Sequence, residues 1–144
     1  MKHNVEIGSL ILRVVLGITF LLHGLSKFQG GIENTAGWFS SIGLPGFLAY
    51  LVAVIELAGG IALIVGLGTR IISALLAMIM LGAILKVKLG AGFLGNGQGS
   101  GYELDIVLMA IAVFLALNGS FLLSIDAKLP RSTDTQRKRA ERTV

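Results

Sequence analysis

An all-α integral membrane protein, a bundle of four transmembrane helices, is what three observations in this chain predict. Four long apolar runs fill most of it; 54% of its residues are hydrophobic and only 14% charged; and its mean hydropathy is +0.84. A soluble domain carries roughly a quarter charged residues, so this composition suits a chain dissolved in lipid. The 144 residues leave loops too short for a second globular unit. Residues 1–129 therefore read as one four-helix membrane domain, and residues 130–144 as a basic, disordered cytoplasmic tail.

The first run is Ile7 to Leu25, the second roughly Phe47 to Val65, the third Ile71 to Leu89 and the fourth Leu104 to Ile125. Each is about 18 to 22 residues, which at ~1.5 Å per residue matches a hydrocarbon core ~30 Å thick. The first is too long for a signal peptide, contains Arg13 and lacks a small-residue cleavage site, so it is expected to be retained. Between the first and second runs, Trp38, Phe39 and Pro45 predict an interfacial anchor or a short helix lying on the membrane. Between the third and fourth, Gly90 to Gly101 is glycine-rich without G-x-G-x-x-G spacing, and reads as a flexible connector in preference to an anion cradle. Basic residues set the orientation. Lys2, Arg70, Lys128, Arg131, Arg137, Lys138, Arg139 and Arg142 fall on one side, against Lys27, Lys86 and Lys88 on the other, predicting N-in and C-in. The basic tail accounts for the high isoelectric point, so no nucleic-acid partner is expected; the expected partners are the bilayer and its anionic headgroups.

Cysteine is absent, which excludes thiolate chemistry and Cys-ligated metal clusters within this chain. Two histidines, His3 and His23, are too few for a multi-histidine metal or haem site in one subunit. No flavin motif is present either, so any electrons must travel on something the protein binds.

Against that background the embedded charges become informative. Glu56 is the only charge between Leu44 and Leu67, and a carboxylate at that depth is costly unless paired, protonated or wet. Arg13, Gly17, Phe20, Gly24 and Lys27 recur at spacings of four, three, four and three, placing them on one helix face, with His23 beside Lys27. Glu56 shares a face with Gly60, where small residues let a neighbouring helix approach. Arg13 lies within ~5 Å of Glu56 in depth and is the expected partner, as a structural lock, a functional pair or both; Lys27 or a bound anion is next in line. A second cluster, His23, Lys27, Lys86, Lys88, Tyr102, Glu103 and Asp105, lies near the other helix ends. Histidine exchanges protons near neutral pH and tyrosine donates a hydrogen bond, roles suited to a quinone or phenolic headgroup. Lys88 and Asp105 read instead as interfacial charges reaching for water.

Leu12-Arg-Val-Val-Leu-Gly-Ile-Thr-Phe-Leu-Leu-His-Gly-Leu-Ser-Lys-Phe28, Trp38-Phe-Ser-Ser-Ile-Gly-Leu-Pro45, Val54-Ile-Glu-Leu-Ala-Gly-Gly-Ile-Ala-Leu-Ile-Val-Gly-Leu-Gly-Thr-Arg70 and Gly101-Tyr-Glu-Leu-Asp105 resemble the DoxX family, closest to its bacterial CatD and MhqP branch. The resemblance implies a four-helix protein of the bacterial plasma membrane. It further implies a membrane oxidoreductase or quinone-interacting subunit, in quinone and catechol handling or thiosulfate:quinone electron transfer, with quinone as substrate or electron acceptor. Arg13, His23, Glu56 and Glu103 are then the candidate catalytic residues, and Lys27, Lys86 and Tyr102 the candidate substrate-binding ones. A redox partner, soluble or membrane-bound, and a homo-oligomer are compatible with this. The alternative is a non-enzymatic scaffold for a soluble redox protein, or a carrier for a small solute.

Overall fold

The computed structural model of the protein describes residues 2–97 and 100–129. Over these residues it is all-helical, apart from a single isolated bridge between Gly95 and Ser100. Helix α1 spans Lys2–Gln29, α2 Ile32–Ser41, α3 Phe47–Val65, α4 Thr69–Ala83 and α5 Glu103–Asn118. A π-helical turn, Ile84–Lys88, and a 3₁₀ turn, Leu89–Ala91, continue α4. The segments His3–Gln29, Phe47–Val65 and Thr69–Ala91 are each long and apolar enough to cross a membrane. The expected disordered tail lies outside the described residues.

The fourth apolar run behaves differently from expectation. Helix α5 stops at Asn118 after 16 residues, and Gly119, at φ 72°, turns the chain back. Residues 119–129 then form a hook across one end of the bundle. The short helix anticipated around Trp38 is α2, bracketed by Gly31 and Gly43 at φ 88° and 80°.

Two helix pairs make up the bundle, α1 with α3 and α4 with α5. Glycine sets the first pair. A methyl group at Gly24 would lie 2.6 Å from Leu57 N, and one at Gly60 would lie 2.5 Å from Leu21 N. With no hydrophobic drive between helices in lipid, this close backbone packing is what holds them together. The two pairs meet over a core of Leu16, Phe20, Leu63, Leu76, Met80, Leu108, Ala112 and Leu115. The many exposed Ile, Leu, Val and Met side chains of α1, α3 and α4 form the surface that lipid would cover.

The end of the bundle bearing the hook is tied shut. Asp126 accepts hydrogen bonds from Gly68 N at 2.8 Å and Thr69 N at 3.0 Å, capping the first turn of α4 where backbone donors are otherwise unpaired. Ile125 N and Asp126 N donate to the carbonyls of Val65 and Gly66 at the end of α3. Arg70 Nε donates to Ala116 O in the last turn of α5 at 2.9 Å.

Arg13 completes this lock and does not reach Glu56. Its guanidinium, on a fully buried side chain, donates to Ser120 O at 2.9 Å, to Ser120 Oγ at 3.4 Å and to Leu123 O at 2.8 Å. Leu123 sits at φ 47°, a left-handed conformation that costs a leucine about 1–2 kcal/mol and that presents its carbonyl to the arginine. The expectation of an Arg13–Glu56 pair fails because the hook brings carbonyls nearer to Arg13 than the carboxylate is.

Candidate functional site

At the opposite end the two helix pairs part, and the space between them is a cavity of about 360 Å³. One wall comes from α1, α2, α3 and the loop joining the last two, through Phe20, Trp38, Phe39, Leu44 and Val52; the other comes from α4, its π turn and α5 through Ile79, Met80, Val87 and Leu108. An apolar enclosure of this size carrying a few convergent polar groups is the usual form of a small-molecule site.

The first polar group is the ion pair between Lys27 Nζ and Glu56 Oε2, 2.5 Å apart, with side chains 22% and 3% exposed. Local sequence explains it. Gly24 packs against Leu57 and Ala53, so Lys27, one turn further along α1, sits just beyond the level of Glu56 and its long side chain bends inward to meet the carboxylate. Glu56 is thus neither unpaired nor facing lipid.

The second pair joins Lys88 Nζ to Asp105 Oδ2 at 2.6 Å, with Asp105 only 8% exposed. Reading these two as surface charges was wrong. Asp105, Leu108, Ala112 and Leu115 are the buried stripe of α5, so the aspartate faces the bundle. Lys88 closes the π turn, four residues beyond the buried Ile84, and extends the inward stripe of Leu76, Met80 and Ile84 toward Asp105. Such turns occur often at functional sites.

His23 and Lys86 also line the cavity. The His23 ring lies tilted against Phe20, with centroids 6.4 Å apart. Lys86 is exposed. Of the anticipated site residues, the structure therefore brings Lys27, Glu56, His23 and Lys86 to one place and leaves Arg13, Tyr102 and Glu103 outside it. Tyr102 precedes α5 and packs edge-on against Phe93, centroids 5.6 Å apart. Glu103 is exposed on the first turn, two residues and about half a turn from the inward stripe. Among the described residues, no three His, Cys, Asp or Glu side chains gather to hold a metal ion.

The two ends of the glycine-rich loop beside the cavity are tied together. Tyr102 N and Glu103 N donate to Gly92 O and Phe93 O. A methyl group at Gly101 would collide with the Phe93 carbonyl.

Comparisons with known proteins identify the family of the chain. Residues 8–89, which carry Lys27, Glu56, Lys86 and Lys88, match the family model described as DoxX. The chain is 50% identical over 126 residues to "Putative oxidoreductase CatD" of Bacillus subtilis (strain 168), covering 88% of this chain and 90% of that protein. It is 32% identical over 130 residues to the membrane protein Rv3486 of Mycobacterium tuberculosis, covering 83% and 80%. It is 34% identical over 70 residues to the inner membrane protein YqjF of Escherichia coli (strain K12), covering 49% and 53%. No solved structure matches significantly. By family model and by identity over nearly its whole length, the chain belongs to the DoxX family of membrane proteins.

Proposed function

We propose that the protein is a membrane oxidoreductase, or the quinone-interacting subunit of one, whose cavity takes the ring of a quinone or catechol. One observation carries this reading: a partly buried lysine–carboxylate pair, Lys27 with the buried Glu56, at the wall of a mostly apolar cavity of about 360 Å³. Reduction of a quinone to its hydroquinone consumes two electrons and two protons. The Lys27 ammonium donates a hydrogen bond to a ring oxygen as negative charge builds on it, in a setting where water is scarce and such bonds are strong. Glu56 keeps that ammonium in place, and His23 supplies or accepts a proton nearer the rim. The electrons come from a redox partner, since this chain encodes no flavin, haem or metal motif. The name carried by the Bacillus relative supports the oxidoreductase class.

In the same reading α5 is the fourth crossing, both termini face the cytoplasm of a bacterial cell, and the cavity lies toward the outer face of the plasma membrane. The charge asymmetry of the chain supports that orientation. A solute carrier must open alternately to both sides, and the lock around Arg13 and Asp126 weighs against it.

The test uses Trp38, the single tryptophan, which lines the cavity. Purified protein in nanodiscs is titrated with a menaquinone analogue while Trp38 fluorescence is followed. Saturable quenching is expected, weakened at least about tenfold in Glu56→Gln, equivalent to ~1.4 kcal/mol. A folded wild-type protein that shows no quenching makes the chain a scaffold whose chemistry belongs to another protein.

A further inference from the structure

Gly82 has no packing reason to be a glycine. A methyl group added at Gly24 or Gly60 would strike the backbone of a neighbouring helix, whereas one added at Gly82 would meet nothing within 4 Å. Glycine inside a helix is unfavourable relative to alanine. The residue is nonetheless exposed and at the same time lines the cavity, so at Gly82 the interior of the site and the outer surface of the bundle meet.

Its position along α4 puts that meeting point well inside the membrane-length segment. Gly82 lies about 20 Å along α4 from Thr69, at ~1.5 Å per residue, and about 13 Å short of Ala91, where the membrane-length segment ends. The facing bank is α3. Near the hook the two helices touch, a methyl at Gly59 falling 3.1 Å from Ile72. Toward the other end the cavity is lined by both helices, by Leu48 and Val52 of α3 and by Gly82 and Ala83 of α4. Beyond Gly82 on α4, Lys86 also lines the cavity. The other two cavity lysines are neutralised, Lys27 by Glu56 and Lys88 by Asp105. Lys86 makes no ion pair among the described residues, so the site carries one uncommitted cation at its rim.

We propose that Gly82 forms the sill of a lateral opening between α3 and α4 through which the ligand enters from the bilayer. The ligand is then a membrane-dissolved amphipath. Its polar ring lies inside the cavity, an oxygen of that ring accepts a hydrogen bond from Lys86, and its hydrocarbon tail trails over Gly82 into lipid. This deepens the function proposed above and rests on the cavity being the ring-binding site.

The experiment compares two probes in nanodiscs by the rate of Trp38 quenching: a long-tailed menaquinone delivered in the lipid, and tail-less menadione delivered from water. Gly82→Leu fills the sill with a lipid-compatible, helix-favouring side chain, and Gly82→Ala is the smaller step. Association of menaquinone is expected to slow roughly tenfold in Gly82→Leu and less in Gly82→Ala, while menadione associates as in the wild type. Equal rates for both probes in all three proteins, or equal slowing of both, overturn the lateral opening and leave the ring site standing. A folded wild-type protein that binds neither probe overturns the ring site and the opening together.

Discussion

Lys27 and Glu56 sit together in an apolar wall, where each neutralises the other. Truncating either partner leaves the remaining charge uncompensated, which costs about 3 kcal/mol or more, whereas an apolar double replacement is often nearly neutral. Lys27→Met and Glu56→Leu are each expected to lower the unfolding temperature in detergent, and the double variant to recover most of the loss. A double-mutant cycle on stability should therefore give strong coupling between Lys27 and Glu56. Between Arg13 and Glu56 it should give less than about 0.5 kcal/mol, the behaviour of sites that share no partner. Strong coupling of Arg13 to Glu56 would contradict the placement of Arg13 in the lock. The sequence made both embedded charges and their helix faces legible through spacing alone. It ranked Arg13 ahead of Lys27 as the partner of Glu56, because the Arg13 guanidinium donates to the carbonyls of Ser120 and Leu123, and backbone acceptors leave no mark in the residue pattern. Asp105 was readable in principle: it begins the same stripe as Leu108 and Ala112, and periodicity outranks proximity to a loop.

The helices themselves show where apolar runs are sufficient and where they mislead. For α1, α3 and α4 the hydrophobic stretches located the helices to within a few residues, because lipid demands continuous internal hydrogen bonding and length follows from bilayer thickness. For α5 hydropathy overran the helix, since Phe121, Leu122 and Leu123 are apolar yet belong to the hook. Asn118-Gly119-Ser120 was the available stop signal. The π turn after Ala83 had no signal of comparable strength. The hook makes Gly66 the most demanding junction between elements. It sits at φ 72°, and a methyl there would lie 2.4 Å from Ser124 Cβ and 2.6 Å from an Arg13 guanidinium nitrogen. Gly66→Ala is expected to destabilise by more than about 1 kcal/mol, through backbone strain and displacement of the hook together. Gly68→Ala shares a left-handed backbone but has only a distant contact, 3.8 Å from Ile72, and should cost less. Thermal unfolding of the two variants side by side separates the two contributions.

The molecule as a whole is two helix pairs fastened at one end and parted at the other, and the orientation proposed from its charge asymmetry can be tested directly. Because the chain has no cysteine, single substitutions report position cleanly. Ser40→Cys on α2 should react with a membrane-impermeant maleimide in intact cells, and Lys128→Cys on the hook only after lysis. The reverse pattern would invert the bundle. The all-helical, membrane-length character was legible from composition and run length, and the placing of Lys27, Glu56, His23 and Lys86 toward one end from their depth. The parting of the two pairs was not, because it depends on which helix faces interdigitate. The fastened end has a kinetic consequence. A chamber closed at the hook end has no route through the bundle, so whatever binds in it enters and leaves on the cavity side, and one occupant excludes the next. In the oxidoreductase proposed above, the product should therefore compete with the quinone for the same space, and steady-state kinetics should show inhibition that excess quinone relieves.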